Sequence, residues 1–433
     1  MEDRVSAAAD DSANRRRRFP AGFLWGAATA SHQVEGGNRW NDWWEYESSG
    51  RLPFASGDCC RHYELYEQDF DLARSLGHNC HRLSLEWSRI EPQDGQWNPA
   101  AIEHYARVIR ALKTRGIEPV VTLHHFTLPA WFLRRGGWEC ADSAQIFARF
   151  VAHTLENLGE QVGYWLTINE PTVYVMQSYI NGEWPPLQRN SWSGVARVLR
   201  NLARAHVAAF AAIKQVQPDA QVGFAHSALW MEPCDPQRLL DRMATRVRDF
   251  ALNGLFFSLI ALAAKRPARH KLDFVGLNYY TRCCVRFEGS GPSAVLGRSC
   301  KLEHHRDGGP RSSIGWEVYP RGLAGVLQRY SAMGLPLFIT ENGIATGDDE
   351  LRCRFLRDHV EVLAKALDEG LNVLGYLHWS LLDNFEWNMG TGPRFGLAEV
   401  DYSSQQRTAR KSAELFARIC RTNGNSIVSA QGM

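Results

Sequence analysis

Two glutamates in this 433-residue chain close short apolar runs in the same way. Leu335-Pro336-Leu337-Phe338-Ile339-Thr340 ends in Glu341 and the pair Asn342-Gly343, and Gly163-Tyr164-Trp165-Leu166-Thr167-Ile168-Asn169 ends in Glu170 and Pro171. Runs this short, stopped by a turn pair or by a proline that a central strand does not tolerate, read as buried strands that end where a loop begins. Each carboxylate therefore stands at the carboxyl end of a core strand. Two carboxylates delivered there from distant parts of one chain form a pair suited to acid/base and nucleophilic work.

The elements that must position them alternate along the chain. Residues 23–28 read as a first strand running into a polar loop with Gln33, and 63–76 have helical spacing up to Gly77. A second strand over 79–87 has polar residues inside it, Arg82 among them. Asn98-Pro99 supplies a cap and a first-turn proline for a helix whose Ile102, Tyr105, Ile109 and Leu112 share a face. The third strand, 117–123, ends at His124-His125-Phe126, and Asp142-Ser143 caps the helix before the Glu170 strand. Helix at about 195–215, strand at 220–226, and further helix to about Ala264 follow. Strands at 272–278, 336–340 and 373–379 and helices at about 351–369 and 411–421 complete the order.

Eight strands alternating with helices, with no linker, predict one α/β domain: a single (β/α)8 TIM barrel with elaborated loops at the C-terminal face of the strands. Right-handed crossovers put every carboxyl end on that face, where Glu170 and Glu341 can meet. The expected organisation is a polar, basic leader over 1–18, a barrel over 19–421 and a polar tail over 422–433. Gln33, Arg82, His125, Asn169, Asn278, Tyr280, Trp379, Glu386 and Trp387 fall at the same strand ends or the loops after them. Amides and carboxylates hold hydroxyls, and indole faces take the C–H face of a sugar ring. A phosphate site would want glycine-rich turns and a lysine, and neither is visible there.

A formal net charge of +2 gives no electrostatic reason for nucleic acid or an acidic membrane as partner. The basic run Arg15 to Arg18 reads as a solvated extension. No signal-type apolar run follows it and no stretch reads as membrane-spanning, so a soluble, cytoplasmic protein is expected. Ten cysteines without Cys-x-x-Cys spacing predict reduced thiols. No metal constellation is apparent and no organic cofactor is implied.

Eight long motifs stand in order: FPAGFLWGAATASHQVEG (19–36), HRLSLEWSRIEP (81–92), TLHHFTLP (122–129), TINEP (167–171), VGLNYYT (275–281), ITENG (339–343), GYLHWSLLDNFEW (375–387) and RFGLAEVDY (394–402). In these the chain resembles glycoside hydrolase family 1, the β-glucosidase/β-galactosidase family of retaining barrel enzymes, over residues 19–421. The resemblance implies an exo-β-glycosidase that removes terminal β-D-glucosyl groups, and galactosyl or fucosyl groups secondarily, from small O-glycosides through a covalent glycosyl-enzyme. It implies Glu170 as acid/base and Glu341 as nucleophile, with Arg82, Asn278 and Tyr280 positioning the nucleophile. Gln33, His125, Asn169, Glu386 and Trp387 then hold the sugar hydroxyls, Trp379 is the stacking platform, and Trp316 walls the leaving-group side.

Retention requires the carboxyl groups about 5–5.5 Å apart. Arg82 and Tyr280 favour an ionised Glu341, whose charge, with desolvation, raises Glu170. Glu170, where thioglucosidases of the family carry Gln, points to O-glycosides, and an anionic Glu386 would repel a 6-phosphorylated sugar. Thr127 departs from the Asp common after the His-aromatic pair, His378 holds a variable place, and the connections before the sixth and seventh strands are short for the family. A transglycosylase and a non-catalytic carbohydrate-binding barrel are the alternatives. Oligomeric state is left open by the sequence.

Overall fold

The computed structural model describes residues 19–289, 295–300 and 308–428; the Arg15–Arg18 leader lies outside them. The strands are β1 (Leu24–Ala28), β2 (Cys80–Ser84), β3 (Glu118–Thr122), β4 (Tyr164–Asn169), β5 (Gln221–Ser227), β6 (Val275–Asn278), β7 (Leu337–Asn342) and β8 (Val373–Trp379). Each pairs in parallel with the next, and β8 closes on β1 through Leu24↔Gly375 to Ala28↔Trp379.

The strands are apolar on both faces because both are covered. Outward residues such as Trp25, Trp165 and Ile339 join the large cluster under the helices, while Val120, Leu166, Phe274, Phe338 and Leu377 fill the lumen. Side chains alternate along a strand, so two positions beyond the lumen residues Cys80, Val120 and Phe338 come Arg82, Thr122 and Thr340. The barrel is thus a packed apolar plug with a polar mouth at its carboxyl end.

Local chemistry sets the helix starts. Asn98 Oδ1 accepts from the amides of Ala100 (3.1 Å) and Ala101 (3.4 Å), with Pro99 opening helix Pro99–Thr114. Asp142 precedes helix Ser143–Leu158 without capping it, because its carboxylate accepts from Arg135 Nη2 at 2.5 Å instead. Asp348 caps helix Asp349–Asp368, accepting from the amides of Glu350 and Leu351.

Three features depart from expectation. The helical run Leu239–Ala264 is, by length and composition, long and apolar enough to cross a membrane, where no such stretch was anticipated; arginines interspersed in its first half obscure its apolar pattern. The expected polar tail begins inside the fold. Asn423 accepts from Trp25 Nε1 (2.9 Å) and donates to the Phe19 carbonyl (2.9 Å), and Ile427 is buried. A three-stranded sheet (Trp230–Pro233, Arg282–Arg286, Arg298–Ser299) and the hairpin Ala398–Asp401/Gln406–Ala409 are strands too short to carry periodicity.

β1 lies against β2 only because residue 26 lacks a side chain: a Cβ on Gly26 would sit 1.7 Å from the Cys80 carbonyl oxygen. Gly26→Ala should therefore part the two strands and lower stability by about 1–3 kcal/mol or more. The fall is read as a lower thermal unfolding midpoint, and an unchanged midpoint would refute the tight contact.

Candidate active site

Both carboxylate-bearing strands are irregular where they reach the mouth. The β4–β5 register shifts between Leu166 and Asn169, and the β6–β7 register shifts between Ile339 and Glu341. Such irregularities re-aim side chains beside active sites. They help consecutive residues Asn169 and Glu170 to join one network. Glu170 itself has φ 41°, ψ 60°, in the left-handed region, and its amide donates to the Ala225 carbonyl at 2.8 Å. A non-glycine residue pays a steric penalty there, and the proline that follows disfavours helical backbone further, so the surrounding fold imposes this geometry. Beyond Glu341 the chain crosses β8 at Gly343, where a Cβ would meet the Trp379 carbonyl oxygen at 1.9 Å.

Arg82, fully buried, ties the mouth together. Its Nε donates to Thr122 Oγ1 (3.0 Å), Nη1 to Glu341 Oε1 (2.5 Å) and the Thr340 carbonyl (3.3 Å), and Nη2 to Asn169 Oδ1 (2.7 Å). Tyr280 donates its hydroxyl to Glu341 Oε2 at 2.5 Å. Asn278 Nδ2 donates to Glu170 Oε1 (2.9 Å) and Asn169 Oδ1 (3.1 Å), while Asn278 Oδ1 accepts from Thr340 Oγ1 (2.7 Å). Glu170 and Glu341 thus belong to one network through Asn278, Asn169 and Arg82.

A second group surrounds it. Gln33 Nε2 donates to Asn384 Oδ1 (3.0 Å) and the Phe385 carbonyl (2.9 Å), leaving its buried Oε1 without a protein partner. Asn169 Nδ2 lies 3.3 Å from His125 Nε2; with the amide donating, the ring proton resides on Nδ1, which is buried and has no protein partner. Trp379 Nε1 donates to Glu386 Oε1 at 3.1 Å. The His125 ring is nearly parallel to Trp379 (15°) and Trp387 (13°). Trp316 is 39% exposed, its ring 5.3 Å from that of Tyr280. All twelve sequence-derived candidates therefore gather at the carboxyl end, with Trp316 at the rim.

Other contributors were not singled out by sequence. Thr122, Thr340 and Asn384 stand inside or beside the motifs as ordinary polar residues, and only their partners reveal them. Glu317, next to Trp316, is held by buried Arg282 (Nε–Oε2 2.6 Å), which also donates to Glu232 (2.7 Å); these residues are remote in sequence, so spacing gives no signal. Thr127 donates to Glu86 Oε2 at 3.1 Å, which gives the departure from the family pattern a structural use. His124 accepts from Trp138 Nε1 (3.3 Å) and His378 packs near Phe416.

The electrostatics separate the two acids. Burial, then the Glu341 charge, push Glu170 up to about 8, against lesser opposition from Asn278 and Arg82. Burial raises Glu341 as well, but the Arg82 guanidinium and Tyr280 hydroxyl oppose it directly. The surroundings therefore favour charge on Glu341 and a proton on Glu170. Burial also pushes Glu386 up to about 8, so at neutral pH it is chiefly a neutral acid. This corrects the expectation of an anionic Glu386: the groups acting on it most are Trp379, Glu341, Gln33 and Glu170, none of them a cation. Burial, then Arg82, hold His125 well below its usual range, so the ring is neutral.

A parallel barrel carrying paired glutamates in a mouth of amides and indoles has the build of a carbohydrate-active hydrolase. The sequence profile of glycosyl hydrolase family 1 matches residues 15–267 and 259–425, and the chain belongs to that family. Beta-glucosidase A of Thermotoga maritima is 32% identical over 448 residues, covering 94% of this chain and 99% of its own. Beta-galactosidase of Pyrococcus woesei is 31% identical, covering 94% and 98%. Among solved structures, the beta-glycosidase from Pyrococcus horikoshii superposes with TM-score 0.88 at 39% identity, covering 96% of this chain and 99% of that one. The Thermotoga maritima beta-glucosidase in complex with glucoimidazole gives TM-score 0.86 at 31% identity, covering 94% and 99%.

Glu170 and Glu386 bind protons more tightly in the folded chain than an ordinary carboxyl near 4.5 does. Their contribution to stability is complete below about pH 4.5 and is lost as pH rises through about 8. Glu386→Gln keeps an acceptor for Trp379 and removes the titration. Its thermal midpoint should fall less than that of the wild type between about pH 5 and about pH 8, and parallel curves would show that Glu386 does not titrate there.

Proposed function

We propose that this chain hydrolyses β-D-glucosides, and β-D-galactosides and β-D-fucosides secondarily, with Glu341 as nucleophile and Glu170 as acid and then base. The observation that carries the assignment is the asymmetry of donors. Both oxygens of Glu341 accept charge-stabilising bonds, one of them from the Arg82 cation and the other from Tyr280, whereas Glu170 has only neutral donors, the Asn278 amide and the Ser227 hydroxyl. The acid that keeps its charge attacks the anomeric carbon, and the acid that keeps its proton gives it to the leaving oxygen.

Once Glu341 is esterified to the sugar, its charge is gone and so is a main reason for Glu170 to hold a proton. Glu170 then takes a proton from water, which attacks the anomeric carbon and releases Glu341. One pair of carboxylates serves both halves of the reaction by cycling a single charge. Relatives named beta-glucosidase and beta-galactosidase support the substrate class. The unpartnered Gln33 Oε1 and His125 Nδ1 suit sugar hydroxyls as acceptor and donor, and a protonated Glu386 can act as either. Trp379 offers its face to the ring. A 6-phosphate finds no cation acting on Glu386, which favours a neutral sugar.

Aryl β-glycosides test this. Glu341→Ala should lower kcat by on the order of 10^4-fold or more, and a 2-fluoro-glucoside should leave its mass increment on Glu341. Equal turnover of wild type and Glu341→Ala would overturn the assignment. Glu170→Gln should lose about 10^2–10^4-fold on poor leaving groups and far less on activated ones. Wild-type turnover on poor leaving groups would remove Glu170 from the mechanism.

A further inference from the structure

The helical run Leu239–Ala264, between β5 and β6, turns an apolar stripe outward. Leu240, Met243, Val247 and Phe250 recur at helical spacing and are 43%, 52%, 43% and 53% exposed, and Leu262 is 72% exposed. The step from Phe250 to Leu255 is five residues, which α-helical geometry would carry to the flank. The π-helical turn Phe250–Gly254 takes up the extra residue and keeps the stripe running into Leu255 and Leu259. Those two leucines line a cleft of about 990 Å³ together with Trp192, itself 48% exposed. Phe256 and Ile260, on the opposite side, are fully buried against the barrel.

The charge around the stripe is predominantly positive. From Arg238 to Lys271 the chain carries eight Lys and Arg against two Asp, although its overall formal charge is only +2. Both acids are engaged, Asp241 with Arg238 (3.2 Å) and Asp249 with Arg329 (2.6 Å). Arg242 and Arg246 are exposed beside the stripe, and Lys265, Arg266 and Arg269 are exposed beyond its end. The cleft rim adds Arg298 against Glu288.

We propose that this face docks on the surface of an anionic lipid bilayer, the run lying in the headgroup plane with its aliphatic stripe, Phe250 and Trp192 entering the acyl boundary. An exposed apolar band flanked by cations, with an aromatic ring at the edge, is the pattern of an interfacial helix. Spanning is excluded: five charged residues, Asp241, Arg242, Arg246, Arg248 and Asp249, occupy its first half, and its other side is the wall of the barrel. Contiguous apolar patches on soluble chains mark contact surfaces, and the cation excess selects an acidic lipid surface as the occupant.

Sedimentation of the full chain with vesicles tests the proposal. The chain should bind phosphatidylcholine vesicles that contain phosphatidylglycerol, bind phosphatidylcholine alone more weakly, and detach as salt is raised. Met243→Glu with Phe250→Glu should lower partitioning at least tenfold, with the thermal midpoint retained because both positions are exposed. Arg242→Glu with Arg246→Glu should lower binding to the anionic vesicles about fivefold per cation removed and leave binding to phosphatidylcholine unchanged. The arginine pair decides the matter should the first variant not fold. No binding to either vesicle, wild-type binding by both variants, or a dimer in ultracentrifugation that Met243→Glu with Phe250→Glu splits (a second copy then covers the face) would each overturn the proposal.

Discussion

A guanidinium buried inside the sheet is the constraint from which the site follows. Arg82 has no solvent, and an unpaired cation in such a place is strongly destabilising. Its donors are met by Thr122, Asn169, the Thr340 carbonyl and Glu341, drawn from β3, β4 and β7, while the arginine itself comes from β2. Closing the barrel and assembling the mouth therefore draw on the same contacts. Removing one partner leaves a charge stranded, which ties four strands to a single register. The same cation favours the ionised form of Glu341, which it touches directly, so structural necessity and acid–base asymmetry share one origin.

The backbone adds a second layer of constraint. Register shifts in β4 and β7 fall where the two carboxylates leave the sheet. Glu170 and Trp387 occupy left-handed backbone that non-glycine residues rarely adopt. Gly343 has no room for any side chain. Each is unfavourable on its own terms, and each sits within a few residues of a mouth-lining group. Strain concentrated there is held by the packed lumen beneath, an apolar plug that does not yield easily.

Much of this architecture was legible because β-barrel chemistry writes itself at strand ends. The runs ending in Glu170 and Glu341 are too short for helices, and the turn residues after them mark where strands stop. Asn98-Pro99 named its helix start correctly because both signals act locally. Asp142 misled because a neighbouring arginine, invisible to a capping rule, took its carboxylate. Asn423 and Ile427 looked like the start of a polar tail because their partners, Trp25 and Phe19 among them, lie nearly the whole chain away. The protonation of Glu386 was misread for a related reason: burial, not residue type, sets it, and burial is a property of the assembled mouth. The Arg282–Glu317–Glu232 network was missed because its members are joined only by folding.

The stitch between Trp25, Phe19 and Asn423 has a consequence for the chain as a thread. The first strand and the turn that follows helix Lys411–Arg421 meet at the end of the barrel remote from the glutamates, hydrogen-bonded to each other. The ring of strands therefore has its seam at the floor, away from the reacting end. A permuted chain, with these neighbours spliced and a floor-side loop cut instead, retains every contact that aligns Glu170 with Glu341.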